Sequence, residues 1–125
     1  MQKAIGLIEA MGLSTAVAAL DAASKAADVT LVGVEKVIGV AQGVGVNIQM
    51  AGEVAAVKSA VDAGVEAGNR VGKIISSHVI PRPHDEIDKL LKKFSDNMKE
   101  NQETKENNKK KDSAKMKNKK SDKEE

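Results

Sequence analysis

Apolar and polar positions alternate along the first 94 residues in blocks whose period changes several times, and each change marks an element boundary. Lys3 to Glu9 (KAIGLIE) is a short apolar run closed by Gly12, the pattern of a strand buried on at least one face. Ser14 or Thr15 can then cap a helix in which Val17, Leu20, Ala23 and Ala27 recur at spacings of three and four. Val29 to Lys36 is rich in β-branched residues. Val44 to Met50 alternates, with Val44, Val46, Ile48 and Met50 on one face and Gly45, Asn47 and Gln49 on the other; both segments read as strands. Glu53 to Arg70 carries Val54, Val57, Val61, Val65 and Gly68 on one helix face, and Gly72 is placed for a left-handed cap at its end. Lys73 to Ile80 returns to strand character, and Pro81 and Pro83 force an extended link. Asp85 and Glu86 then open a short helix marked by Ile87, Leu90, Leu91 and Phe94. The order predicts an α+β domain over residues 1–94, a mostly antiparallel four-stranded sheet with helices on one side.

Beyond Phe94 the apolar residues almost vanish, so residues 95–125 are expected to be a disordered, charged tail that buries too little to order itself. Charge divides the same way: residues 1–91 carry a net −2 and residues 92–125 a net +4, within an overall +2. The tail lysines could neutralise phosphates, but the interspersed acids and the lack of aromatic residues argue against nucleic acid as a partner. Phe94 is the only aromatic residue, so the core must be built from Ala, Val, Ile and Leu. A core that thin favours burying further surface against other subunits. The chain has no cysteine, which fits a reducing compartment, and no apolar run of membrane-spanning or signal-peptide length, so a soluble cytoplasmic protein is expected.

Candidate chemistry fails on inspection. Gly39 to Gly45 (GVAQGVG) lacks the Lys and Ser/Thr of a phosphate-binding loop, and a dinucleotide fingerprint opening at Gly43 and Gly45 would need glycine where Ile48 stands. His78 and His84 have no ligand partners at metal-binding spacing. Asp85, Glu86 and Asp88 are explained by the helix dipole, and Ser76 and Ser77 lack a nucleophile's context. No catalytic residue, metal site or cofactor is assigned.

Several motifs, in order, carry a resemblance: Ala4-Ile5-Gly6-Leu7-Ile8-Glu9, Gly12-Leu13, Lys25-Ala26-Ala27-Asp28-Val29 and Leu31-Val32-Gly33-Val34-Glu35-Lys36 in the first half. Gly52-Glu53-Val54-Ala55-Ala56-Val57-Lys58, Asp62-Ala63-Gly64 and His78-Val79-Ile80-Pro81-Arg82-Pro83-His84 follow in the second. Over residues 3–91 the chain resembles the hexamer-forming bacterial microcompartment shell domain found in propanediol-utilisation, ethanolamine-utilisation and carboxysome shells. The resemblance implies a ferredoxin-like βαββαβ domain that performs no chemistry and forms flat homohexamers, which tile into the facets of a polyhedral shell with a central pore for small metabolites. It further implies hexameric, trimeric and pentameric shell proteins and encapsulated enzymes as partners, and no membrane.

On the same resemblance Lys25 lies at the edge between hexamers, antiparallel to its counterpart, with Arg82 close by. The segment between the second and third strands lies at the six-fold axis and spans roughly 37–45, which makes Val37, Ile38, Gly39, Val40, Ala41, Gln42 and Gly43 the pore candidates. That segment is about four residues longer than the family's usual turn. Its extra residues either crowd a narrow, neutral opening or lengthen the two-strand hairpin away from the axis. A competing function, a regulatory oligomer of ferredoxin-like architecture binding a small ligand at subunit interfaces, uses the same fold without a shell.

Overall fold

A computed structural model describes residues 3–40 and 43–121. The chain divides into two compact units, Met1–Ser95 and Asp96–Glu125. In the first unit β1 (Ala4–Met11), α1 (Leu13–Ala26), β2 (Thr30–Val40), β3 (Gly43–Gly52), α2 (Val54–Val71) and β4 (Ile74–Ile80) precede α3, which starts at Asp85. The strands form one sheet in the order β2-β3-β1-β4, antiparallel at every pairing. This is the α+β arrangement that the hydrophobic pattern predicts.

The period of two along each strand decides what lies above and below the sheet. Ala4, Ile8 and Ala10 of β1 and Val46, Ile48 and Met50 of β3 are buried with Ala16, Ala19 and Ala23 of α1 and Val57, Ala60 and Val61 of α2 in one core. The largest side chains there with almost no exposure are Ile8, Ile48, Met50, Val46 and Val57. Small side chains demand short distances between layers, and glycine supplies them. A Cβ on Gly6 would lie 2.7 Å from Val61 Cγ2 and 2.8 Å from Val57 Cγ1, so α2 sits directly on β1. A Cβ on Gly64 would lie 2.9 Å from the Ala19 carbonyl oxygen, so α1 and α2 touch through backbone.

That close crossing rotates α1 away from the predicted stripe. The buried residues are Thr15, Ala16, Ala19 and Ala23, whereas Val17 is 53% exposed and Leu20 is only half-buried. A valine facing Gly64 and Gly68 would push the helices apart, so alanine occupies the contact. Neither Ser14 nor Thr15 caps α1, since both lie inside its first turn. The cap position belongs to Gly12, whose φ of 78° is in the left-handed region. Gly72 also differs from expectation, with an extended φ of −159°. Glycine is needed there because Thr15 Oγ1 occupies the space where a Cβ would stand.

The largest difference is at the C-terminus. α3 runs Asp85–Ser121, in place of a short helix followed by a disordered tail. Residues 106–120 are all exposed, so burial is not what holds them. A helix closes its own backbone hydrogen bonds, and Lys, Glu and Gln are good helix formers, so a segment unable to build a core can still be helical. Lys119 and Lys120 in the last turn also complement the helix dipole.

Two outcomes test this account. Gly64→Ala gains about 1 kcal/mol of helix propensity, but a methyl against a fixed carbonyl costs about 1–3 kcal/mol. The net expectation is a loss of about 1 kcal/mol, seen as a melting temperature lower by about 4–8 °C. Ending the chain at Ser95 should remove helical circular-dichroism signal while the domain's unfolding midpoint stays unchanged; a marked fall in the midpoint would mean that the second unit supports the first.

Candidate functional site

The sheet has two ends, and the residues singled out by sequence divide between them. β1 starts at Ala4, paired with Gly52 at the end of β3, and Ile5 pairs with Ile80 at the end of β4 and with Ala51. Ala51 in turn pairs with Thr30, the first residue of β2. Lys25, in the last turn of α1, and Arg82, in the bend after β4, therefore belong to one end of the sheet. β2 and β4 are its opposite lateral edges.

Both side chains are free to meet a partner. Lys25 Nζ donates to Asp21 Oδ2 at 2.8 Å, one helical turn back, but the two side chains are 75% and 60% exposed. Such a pair is screened and exchangeable. Arg82 is exposed, while Pro83 beside it is buried and fixes the bend. His84 caps α3: its Nδ1 accepts from the Glu86 backbone N–H at 3.2 Å, and its carbonyl accepts from Ile87 N–H.

The pore candidates occupy the other end. Val37 pairs with Gly45, Ile38 with Val44 and Val40 with Gly43. Val37 to Val40 and Gly43 are therefore strand, so of the two alternatives the added residues lengthen the hairpin, and Ala41 and Gln42 lie outside the described residues. The added length goes into pairing because the sequence there is β-branched and apolar. A bulge between Ile38 and Val40 absorbs the odd residue at Gly39, whose φ of 91° suits glycine.

β1 ends at Met11, opposite Gly45, and Gly12 N–H still bonds to the Val44 carbonyl at 2.9 Å. Past that point the hairpin continues as two strands without a third. Ile38 is 88% exposed there and Val44 45%. A two-stranded ribbon with exposed Ile and Val is marginal in water and gains by being covered. Sequence reasoning missed further exposed apolar residues on the helices, Leu13 (60%) and Val71 (58%). Their signal was available as apolar residues that fit no buried stripe.

Among the described residues no group of three or more His, Asp or Glu is arranged to hold a metal, and no helix is long and apolar enough to cross a membrane. The residues singled out by sequence lie on exposed surfaces at the two ends of the sheet. Since the Lys25–Asp21 pair is exposed, Lys25→Ala is expected to shift stability by less than about 0.5 kcal/mol, measurable by denaturant unfolding.

Comparison with known proteins agrees with this picture. The family model of the BMC domain matches residues 4–83. The bacterial microcompartment shell protein PduA of Citrobacter freundii is 46% identical over 93 residues, 74% of this chain and 95% of the relative. The carboxysome shell protein CcmK2 of Synechocystis sp. is 44% identical over 94 residues, 73% of this chain and 86% of the relative. A crystal structure of a microcompartment protein from Desulfitobacterium hafniense superposes with a TM-score of 0.63 at 34% identity. The match covers 71% of this chain and about half (48%) of that one. The relatives bear the names of shell proteins and not of enzymes, in agreement with the absence of assigned catalytic residues.

Proposed function

The chain belongs to the BMC domain family, and from that premise we propose that it is a structural subunit of a bacterial microcompartment shell, assembling as a cyclic homohexamer that tiles into facets. The observation that carries the finer part of the reading is the division of the sheet. Lys25 and Arg82 stand at one end and the apolar β2–β3 hairpin at the other. A wedge-shaped subunit in a ring has an inner end, crowded by copies, and an outer end that meets neighbouring rings.

At the inner end, cyclic symmetry gathers one hairpin from each subunit about an axis. Ile38, 88% exposed in the single chain, and Val44 would then be covered by neighbouring hairpins. Residues 37–43 contain no ionisable side chain, so an opening lined by them is neutral and filters by size and wetting, not by charge. Lys36, at the base of the hairpin, adds positive potential nearby. At the outer end, Lys25 can lay its aliphatic stem on a neighbour and carry its ammonium to backbone carbonyls, exchanging an exposed Asp21 contact of little worth. Each contact is weak, and repetition around a ring and across a sheet multiplies it.

Other shell subunits and enclosed enzymes are the partners this role implies. The strongly basic stretch Lys109 to Lys120, with seven lysines and only Asp112 opposing them, gives those contacts a salt-dependent component.

Native mass spectrometry is expected to show hexamers or assemblies of hexamers; monomer or dimer alone over a broad concentration range would overturn the reading. Electron microscopy of Lys25→Ala should show intact rings that no longer form sheets. Loss of the rings themselves would move Lys25 from the outer edge to the interface between subunits.

A further inference from the structure

We propose that the basic end of α3, Lys109 to Lys120, binds double-stranded DNA by lying in its major groove. The site is within the second unit, Asp96–Glu125, and does not depend on the shell reading.

Lys109 to Lys120 holds seven lysines and one acid, Asp112. The whole stretch is helix, and every side chain from 106 to 120 is exposed. Among the described residues the ion pairs join Lys25 to Asp21, Arg70 to Glu66 and Lys89 to Glu86, so none neutralises these lysines. Lys111, Lys115 and Lys119 follow one another at spacings of four, where like charges on a helix repel. The helix therefore carries a charge that an anionic partner would relieve.

Successive residues of a helix are turned by about 100°, and that rotation sorts the side chains. Lys111, Lys115 and Lys119 fall along one flank, and Lys109, Lys110, Lys117 and Lys120 along the other, with the centres of the two rows about 170° apart. Between the rows runs a narrow strip holding Asn107, Ala114 and Asn118, and Asp112 and Met116 stand on the reverse side.

This arrangement selects among anionic partners. A flat acidic protein surface can meet only one row at a time. The major groove of DNA, about 12 Å wide, has phosphates on both walls and admits one α-helix. A helix lying there sets a lysine row against each wall, its short strip side chains toward the base edges and Asp112 toward water. Double-stranded RNA has a major groove too narrow for side chains to read. Ala114 and Met116 alone make no apolar face able to enter a lipid surface. The two sequence features that argue against nucleic acid do not bear on this site. Aromatic residues serve to stack the bases of single strands, whereas duplex binding rests on phosphate charge. The interspersed acids Glu100, Glu103 and Glu106 precede the basic stretch.

Fluorescence anisotropy of the full-length protein with a labelled, mixed-sequence DNA duplex tests the proposal. Binding at low salt is expected, with log K falling against log salt at a slope of about −6 for each helix engaged. Lys111→Gln, Lys115→Gln and Lys119→Gln combined should flatten that slope by about half, and so should Lys109→Gln, Lys110→Gln, Lys117→Gln and Lys120→Gln combined. Glutamine is a good helix former, so circular dichroism should show the helix intact in both variants. Asp112→Asn should change affinity by less than about two-fold, because that side chain faces away from the groove. No binding at low salt, or an RNA duplex or poly-glutamate bound as tightly as DNA, would overturn the assignment. So would a loss confined to one lysine row, which would mean that α3 meets a flat acidic surface.

Discussion

α1 and α2 can cross at backbone distance only because Gly64 and Gly68 of α2 meet Ala19 and Ala23 of α1, and the rest of the domain is arranged around that contact. With almost no aromatic area available, close approach replaces side-chain bulk as the means of filling the interior. Gly6 extends the same device to the sheet, letting α2 rest on β1. The two helices are thereby held close to each other and to the sheet.

The contact also decides what is left outside. Turning alanines inward leaves Leu13, Val17 and Val71 exposed, and carrying β2 and β3 past the end of β1 leaves Ile38 and Val44 exposed as well. A single chain therefore shows more apolar surface than so small a core can afford. Surface of this kind is normally covered by other chains, and in the proposed ring copies of the same subunit would cover it. Shell assembly and the thinness of the core are then two sides of one composition.

The opposite face of the sheet obeys a different rule. There Ile5 of β1 and Leu91 of α3 are buried, and polar side chains of β1, β2 and β3 share the surface with apolar ones. Gln49 is almost fully buried on that face, and its Oε1, lying against Gly33, has no hydrogen-bond partner among the described residues. The helical side is fixed by shape, and the α3 side combines apolar walls with hydrogen-bonding groups.

By itself the sequence determined the elements and their order, because periods of two and of three to four are local properties of a chain. It offered no motif to which catalytic chemistry could be assigned. The pairing of His84 with the start of α3, the inward turn of Ala16 and Ala19 in place of Val17, and the need for glycine at position 72 were not legible. Each depends on an atom brought close from elsewhere in the chain or on a helix rotation set by its neighbour. The hairpin is the clearest case. The family resemblance marked residues 37–45 as longer than the usual turn, but whether the added length looped or paired rested on register with the partner strand, a non-local hydrogen-bonding choice. The helix beyond Phe94 shows the reverse: sequence reasoning asked what the segment could bury, whereas its backbone needs no partner but itself. Only the tertiary structure placed Lys25 and Arg82 at one end of the sheet and the hairpin at the other, because the ends of a sheet are created by strand pairing and do not exist along the chain.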